Sequence, residues 1–206
     1  MTGVGQRNPM KPYESEIRLF VPNIKVLNKK LKQLNSKRIG SYSFFDHCYK
    51  PVDASKAEWD PNRKVMRIRE WARPERYSQI IFSKTEIVKE RGICFKKTVY
   101  PQGKIELFRG SKEMAEDLLK DWGFEYWFTV KKLSGVLYKI LKPLKFTVAI
   151  ENVGGLGYFA EVEIHGQDVE EIAEKMIKIL KILEIPLNLT TSKSMPRLVV
   201  EKLGRL

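Results

Sequence analysis

The stretch Tyr13-Glu14-Ser15-Glu16-Ile17-Arg18-Leu19 constrains the fold more than any other part of the chain. Side chains alternate across a strand, so Glu14, Glu16 and Arg18 share one face, while Tyr13, Ile17 and Leu19 share the other. Three later stretches repeat this division. Met66-Arg67-Ile68-Arg69 places two arginines on one face. Lys145-Phe146-Thr147-Val148-Ala149-Ile150-Glu151 sets Glu151 opposite Phe146, Val148 and Ile150, and Ala160-Glu161-Val162-Glu163-Ile164 repeats the paired carboxylate. An ordinary half-buried sheet would turn such faces to bulk water. A closed antiparallel barrel would turn them inward and pack helices outside. Both geometries satisfy the pattern. Aligned in one sheet, the charged faces would set four or five carboxylates beside two or more guanidiniums, the composition of a site for divalent metal and phosphate.

The 206 residues fit one domain, or at most two small ones, and a hydrophobic fraction of 43% can build a sizeable core. Lys and Arg number 38 against 25 Asp and Glu, a net charge of +13 that favours polyanionic partners: nucleic acid, anionic membrane or phosphorylated small molecules. Cys48 and Cys94 are the only cysteines, and His47 and His165 the only histidines. A structural zinc site and a Ser-His or Cys-His covalent machine therefore have little to draw on. Met1 to Lys11 lacks the apolar core of a signal peptide, and no apolar run approaches the ~18 residues of a membrane span. The expectation is a soluble, cytoplasmic protein with a loose tail over residues 1–11 and a single domain over 12–206.

Along the chain, Asn23 opens a helix with Ile24, Leu27, Leu31 and Leu34 at helical spacing, its lysines reading as a solvated face. Strands are expected over 41–50, 65–71, 77–88, 93–100 and up to Phe108. A helix capped by Ser111 and stopped by Gly123 follows, with Met114, Ala115, Leu118, Leu119 and Trp122 as its stripe. Successive strands are then expected over 124–133, 135–141, 145–153 and 158–165. Gly154-Gly155-Leu156-Gly157 lacks the spacing of a phosphate loop and reads as a hairpin turn. Asp168 caps the last long helix, with Glu171 as its capping-box partner. Lys96 shares its strand face with Cys94, Thr98 and Tyr100, a mixed polar face preferred here to that of Lys97.

Magnitude separates a site from a wet surface. Two like charges about 4 Å apart repel by ~4 kcal/mol at an effective dielectric of ~20. Glutamates enclosed together must hold cations or stay partly protonated, whereas on an open sheet in salt they barely interact. Arginine forks suit phosphoryl oxygens, and carboxylates suit hard divalent cations.

The order of these motifs resembles the CYTH superfamily of triphosphate tunnel metalloenzymes, which includes inorganic triphosphatases, thiamine triphosphatases, class IV adenylyl cyclases and fungal-type RNA triphosphatases. Glu14-Ser15-Glu16-Ile17-Arg18 resembles the family's Glu-x-Glu-x-Lys strand, with Arg for Lys. Arg67-Ile68-Arg69 matches its Arg-x-Arg strand, and Phe82-Ser83-Lys84 looks like its later lysine strand. Glu151, Gly155-Leu156-Gly157 and Phe159-Ala160-Glu161-Val162-Glu163 resemble its C-terminal hairpin, with Glu151 for the usual Asp. The resemblance spans about residues 12 to 185. It implies an α+β fold, an antiparallel eight-stranded closed barrel or tunnel with a charged interior and helices outside. It implies Glu14, Glu16, Glu161 and Glu163 as catalytic and metal-binding residues, with Glu151 added to the metal set. Arg18, Arg67, Arg69, Lys84, Lys96 and Lys131 become the candidate triphosphate binders, with Lys132 an alternative to Lys131. The family's Lys-x-Arg strand has Leu133 or Ser134 at the arginine place, and its Arg-x-Glu strand is met only by Lys104-Ile105-Glu106. Asn8 and Pro9 stand where class IV cyclases often carry His-Phe.

The implied activity is hydrolysis of the terminal phosphoanhydride of a triphosphate, inorganic triphosphate first, by in-line attack of water with two Mg2+ or Mn2+ ions. Thiamine triphosphate hydrolysis and a class IV cyclase reaction are the alternatives. Outside enzymes, the chain would bind polyphosphate or RNA through Trp59, Trp71 and nearby bases. The carboxylate pairs fit that reading poorly. The expected partner is a small-molecule triphosphate, with nucleic acid disfavoured, no membrane, and a homodimer left open.

Overall fold

The computed structural model describes residues 12–55 and 58–204, so the tail expected over residues 1–11 lies outside the described residues. The elements run β1 (Tyr13–Phe20), α1 (Ile24–Gln33), β2 (Lys37–Pro51), β3 (Lys64–Arg73), β4 (Ser78–Glu90), β5 (Ile93–Thr98) and β6 (Lys104–Gly110). They continue with α2 (Lys112–Asp121), β7 (Phe124–Ile140), β8 (Phe146–Val153), β9 (Gly157–Gly166), α3 (Val169–Ile182), a 3-10 turn (Leu187–Leu189), β10 (Thr190–Thr191) and α4 (Met195–Lys202). Every strand pairing is antiparallel.

Eight strands form a ring in the order β1-β5-β4-β3-β2-β7-β8-β9, closed where β9 pairs back on β1. β6 hangs on β4, and β10 on β1. Among the described residues this is the expected α+β tunnel, with the helices outside. The reason lies in where the apolar faces go. Ile17, Leu19, Val148, Val162 and Ile164 point outward and are buried under α3, which contributes Ile172, Ala173, Met176, Ile179 and Leu180, and under Leu27 and Leu31 of α1. Each large side chain so buried contributes roughly 1.5–3 kcal/mol. α2 lays Ala115 and Leu119 over Ile68 and Ile80. With one face of each strand committed to the outer layers, period-two alternation leaves the charged face no place but the interior.

The helices begin where the sequence supplies acceptors for their free amides. Asn23 accepts from the Lys25 amide, Ser111 from Met114, Asp168 from Glu171 and Ser194 from Arg197. The Pro-marked tail thus contains a full helix, with Pro196 in the first turn where its missing amide costs nothing. α4 also fills one end of the ring. Met195, Val199 and Val200 pack with Cys48, Val65, Phe128, Val130, Val153 and Phe159. Ser194 ties this plug down by donating to the Pro61 carbonyl and accepting nothing less than an amide of its own helix, while its backbone amide donates to Asn62.

One expectation is corrected. The two strands expected either side of Ser134 are the single strand β7, which pairs with β2 almost end to end. Gly135, expected to open the second of those strands, lies inside β7 and marks a close approach. A Cβ there would meet the Tyr42 ring at 2.2 and 2.4 Å, so the glycine exists to let that ring lie across the strand. Gly135→Ala should therefore destabilise the protein by about 1–3 kcal/mol. In a Tyr42→Ala background the same change should cost less than half as much, as read from urea unfolding. Equal cost in both backgrounds would refute the contact.

Candidate active site

The inward faces enclose a cavity of about 240 Å³. β1 supplies Glu14, Glu16 and Arg18, and β9 supplies Glu161 and Glu163. The ladder that closes the ring sets Glu16 opposite Glu163 and Arg18 opposite Glu161. β2 and β3 supply Tyr42, Phe44, Asp46, Arg67, Arg69 and Trp71, β5 supplies Lys96 and Thr98, and β7 and β8 supply Lys132 and Glu151.

Most of these charges have a fixed partner. Arg18 donates to Glu161 and to the Lys193 carbonyl, and Lys96 donates to Glu16. Glu151 accepts from both Lys132 and Tyr42. Asp46 accepts a forked pair of hydrogen bonds from Arg69, at 2.7 and 2.8 Å, with Arg67 at 3.5 Å. The Arg69 guanidinium lies 3.7 Å from the centre of the Phe44 ring. Glu14 and Glu163 are different. Their carboxylates bring oxygens within 4.8 Å of one another. The base nearest Glu14 is Lys104, 3.6 Å away on a half-exposed side chain.

The titration of these groups follows the same division. Burial works to raise the Glu16 carboxyl, but Lys96 and Arg18 outweigh it and hold it well below the usual range. Burial, together with Arg18, lowers Lys96 to about 8 against the pull of Glu16. Burial and then the Glu14 carboxylate push Glu163 up to about 7. Glu163, enclosed beside another carboxylate and without a buried base, thus behaves as the Coulomb argument requires. Two guanidinium Nε atoms, of Arg18 and Arg67, are buried with no hydrogen-bond partner, as is Oε2 of Glu151. A buried, unpaired donor is costly.

Of the residues picked from the sequence, Glu14, Glu16, Arg18, Arg67, Arg69, Lys96, Glu151, Glu161 and Glu163 all line this one cavity. Lys84 and Lys131 do not. Lys84 is exposed and lies on the outer surface beside Glu58, Asp60 and Lys64, while its neighbours Ser83 and Thr85 face inward. Lys84 shares its strand face with Phe82, which packs outside with Trp59, and that parity could have placed it. Lys131 is exposed, and Lys132 takes the inward place. Sequence reasoning missed Tyr42, Phe44 and Asp46 as well, and named Trp71 only as a contact for polyphosphate or RNA. Asp46 sits between two aromatic residues and a cysteine in a strand with no charge alternation, and only its pairing with Arg69 across β2 and β3 reveals it.

The sequence matches no family model and no curated protein. The fold does match solved structures. The PH1819 protein of Pyrococcus horikoshii superposes with a TM-score of 0.69 at 21% identity, covering 92% of this chain and 99% of that one. A Vibrio parahaemolyticus protein described as a candidate adenylate cyclase matches with a TM-score of 0.62 at 17% identity, over 90% and 96%. The Hippeastrum protein HpAC1, described as a candidate adenylyl cyclase whose dominant activity is triphosphatase, matches with a TM-score of 0.59 at 12% identity, over 95% and 97%.

Asp46 gives this site a pH signature in stability. Burial works to raise its carboxyl, but Arg69 and Arg67 hold it at about 2, against 3.8 for a free aspartate. A depressed carboxylate contributes stability that is present above pH 3.8 and lost as pH falls through about 2, worth about 2 kcal/mol by linkage. Asp46→Asn should cost about 3–5 kcal/mol at neutral pH, because it leaves Arg69 buried and unpaired. The gap to wild type should narrow as pH falls toward 2. Urea unfolding across that range checks this, and a gap that stays constant with pH refutes it.

Proposed function

We propose that this chain, whose fold is that of the CYTH superfamily of triphosphate tunnel proteins, hydrolyses the terminal phosphoanhydride of a triphosphate with the help of divalent cations. The observation that carries the reading is one cavity lined by guanidinium, ammonium and carboxylate groups together, in which Glu14 and Glu163 have no buried base beside them. Phosphoryl transfer needs little else: positive charge on the phosphoryl oxygens, a cation on the same oxygens, and an aligned nucleophile.

In this reading the Arg18 and Arg67 guanidiniums, which line the cavity, attract the phosphoryl oxygens, with Lys96 and Lys132 adding charge. Arg69 spends its fork on Asp46 and Phe44, so it holds the wall in which Arg67 is set. The all-oxygen donors Glu14 and Glu163, with Glu16 and Glu161 beside them, fit a hard divalent cation, Mg2+ or Mn2+. When bound, such cations neutralise phosphoryl oxygens and make a water molecule easier to deprotonate. The protein's part is to line the substrate up in a closed, water-poor space where fixed charges act strongly.

The cavity volume of about 240 Å³ lies below the ~300–1,000 Å³ usual for larger organic ligands. Inorganic triphosphate is the first substrate in this reading, because no motif in the sequence is dedicated to a base or a thiazole ring. The aromatic wall of Tyr42, Phe44 and Trp71 favours a second reading, in which a flat organic group stacks there and the substrate is a nucleoside or thiamine triphosphate. The test is orthophosphate release from inorganic triphosphate, ATP and thiamine triphosphate, with and without Mg2+ or Mn2+. Release should require the cation and should fall on the order of 100-fold or more in Glu16→Gln and in Glu161→Gln. A cyclic nucleotide with diphosphate as products would instead identify a cyclase. No turnover, with salt-sensitive polyanion binding intact in both variants, would leave a binding protein.

A further inference from the structure

The alternation that carries Glu161 and Glu163 into the cavity does not stop at Glu163. Two residues on, along the same face of β9, stands His165, directly opposite Glu14 in the ladder. Its Nε2 lies 3.7 Å from Oε1 of Glu163. Glu14, Glu163 and His165 each bring one donor atom into a group whose members all lie within 4.8 Å of one another. The plug of α4 fills the Arg18 end of the ring, so this trio sits at the other end of β1, on the rim, with the His165 side chain 53% exposed.

The geometry points to a three-donor cation site formed by Glu14, Glu163 and His165, which takes a transition cation such as Mn2+, Co2+ or Zn2+ in preference to Mg2+. It deepens the reading above, on which it rests for a divalent cation in the tunnel. The two carboxylates are the ones in the cavity that no buried base neutralises. Glu16 is bound to Lys96, Glu161 to Arg18, and Glu151 to Lys132. Lys104 at 3.6 Å from Glu14 is a half-exposed lysine and can swing aside. An imidazole changes which cation is preferred. Mg2+ favours oxygen and keeps its waters, whereas nitrogen donors strengthen along the series from Mn2+ to Zn2+. As a mere surface ion pair, His165 with Glu163 would be worth about 1 kcal/mol or less and would discriminate among no metals.

The chain has only two histidines, which makes the test direct. His47 has both ring nitrogens engaged, with Thr129 at 2.9 Å and Glu70 at 3.1 Å, and serves as the internal control. The full-length protein, labelled with 15N, is titrated with Zn2+, and the imidazole nitrogens are followed by long-range 1H–15N spectra. Calorimetry with Zn2+, Mn2+ and Mg2+ runs alongside. One equivalent of Zn2+ should shift the His165 nitrogens and leave those of His47 in place. His165→Ala should weaken Zn2+ and Mn2+ at least about tenfold and leave Mg2+ unchanged. Unmoved His165 nitrogens, or equal Zn2+ affinity in His165→Ala, would overturn the site. So would a shift that persists in the Glu14→Gln/Glu163→Gln double variant, which is simple histidine binding. The wild-type spectrum needs neither turnover nor a variant. A His165 shift in a protein that releases no orthophosphate keeps the site and removes the hydrolase, and hydrolysis without the shift does the reverse.

Discussion

The β1–β9 ladder is the contact on which the rest of the structure depends. It pairs the first strand with one formed about 150 residues later, from Tyr13 with Gly166 to Phe20 with Phe159. Without it the charged faces of eight strands would be one side of an open sheet, wet and screened. With it they become the inside of a ring. The same ladder brings the two carboxylate pairs together, so closure and site assembly are one event. A contact of such long sequence separation is costly in chain entropy before it is rewarded. It is held by the apolar layer on its back, where Ile17, Leu19, Val162 and Ile164 lie under α3.

Enclosure then decides how charges must be arranged. In a dry interior an unpaired charge costs several kcal/mol, so most are matched. Asp46 is placed where Arg67 and Arg69 converge, and Glu151 where Lys132 and Tyr42 do. These pairs hold the wall rigid and leave it little freedom to rearrange. Against this matched background Glu14 and Glu163 stand out, with each other for company and no buried base beside them. A pair of enclosed carboxylates left in that state is suited to a cation.

What could be read from the sequence was parity, and it served wherever one strand face was plainly apolar. Glu14, Glu16, Arg18, Arg67, Arg69, Glu161 and Glu163 were each put on a charged face by it, and the polar company of Lys96 separated it from Lys97; that those faces turn inward came from the family resemblance. Lys84 was misplaced because resemblance was followed where parity disagreed, Phe82 being on its face. The choice between Lys131 and Lys132 was not legible. Val130 and Leu133 make both faces look apolar, and the register of β7 against β8 shifts between Lys132 and Ser134. Gly135 was misread for a related reason. A glycine that opens a strand and one that admits a ring across it look alike until the ring's own strand is paired with it.

Net charge was the broadest signal and the least informative about the site. Seven bases line the cavity, Arg18, Arg63, Arg67, Arg69, Lys96, Lys104 and Lys132, against six acids, Glu14, Glu16, Asp46, Glu151, Glu161 and Glu163. The interior is thus close to neutral, and nearly all of the +13 excess lies elsewhere on the chain. The two distributions do different physical work. Inside, charge is fixed at short range and sets which atoms a ligand must present. Outside, it acts at long range, where it raises the local concentration of any polyanion but is screened beyond about 8 Å at physiological salt. In the proposed reading, a small triphosphate drawn in by the outer field would still have to satisfy the inner pattern, and a nucleic acid drawn in by the same field would meet a cavity of about 240 Å³ that a duplex cannot enter. The basic exterior therefore favours encounter with polyanions in general, and any selection among them falls to the closed ring.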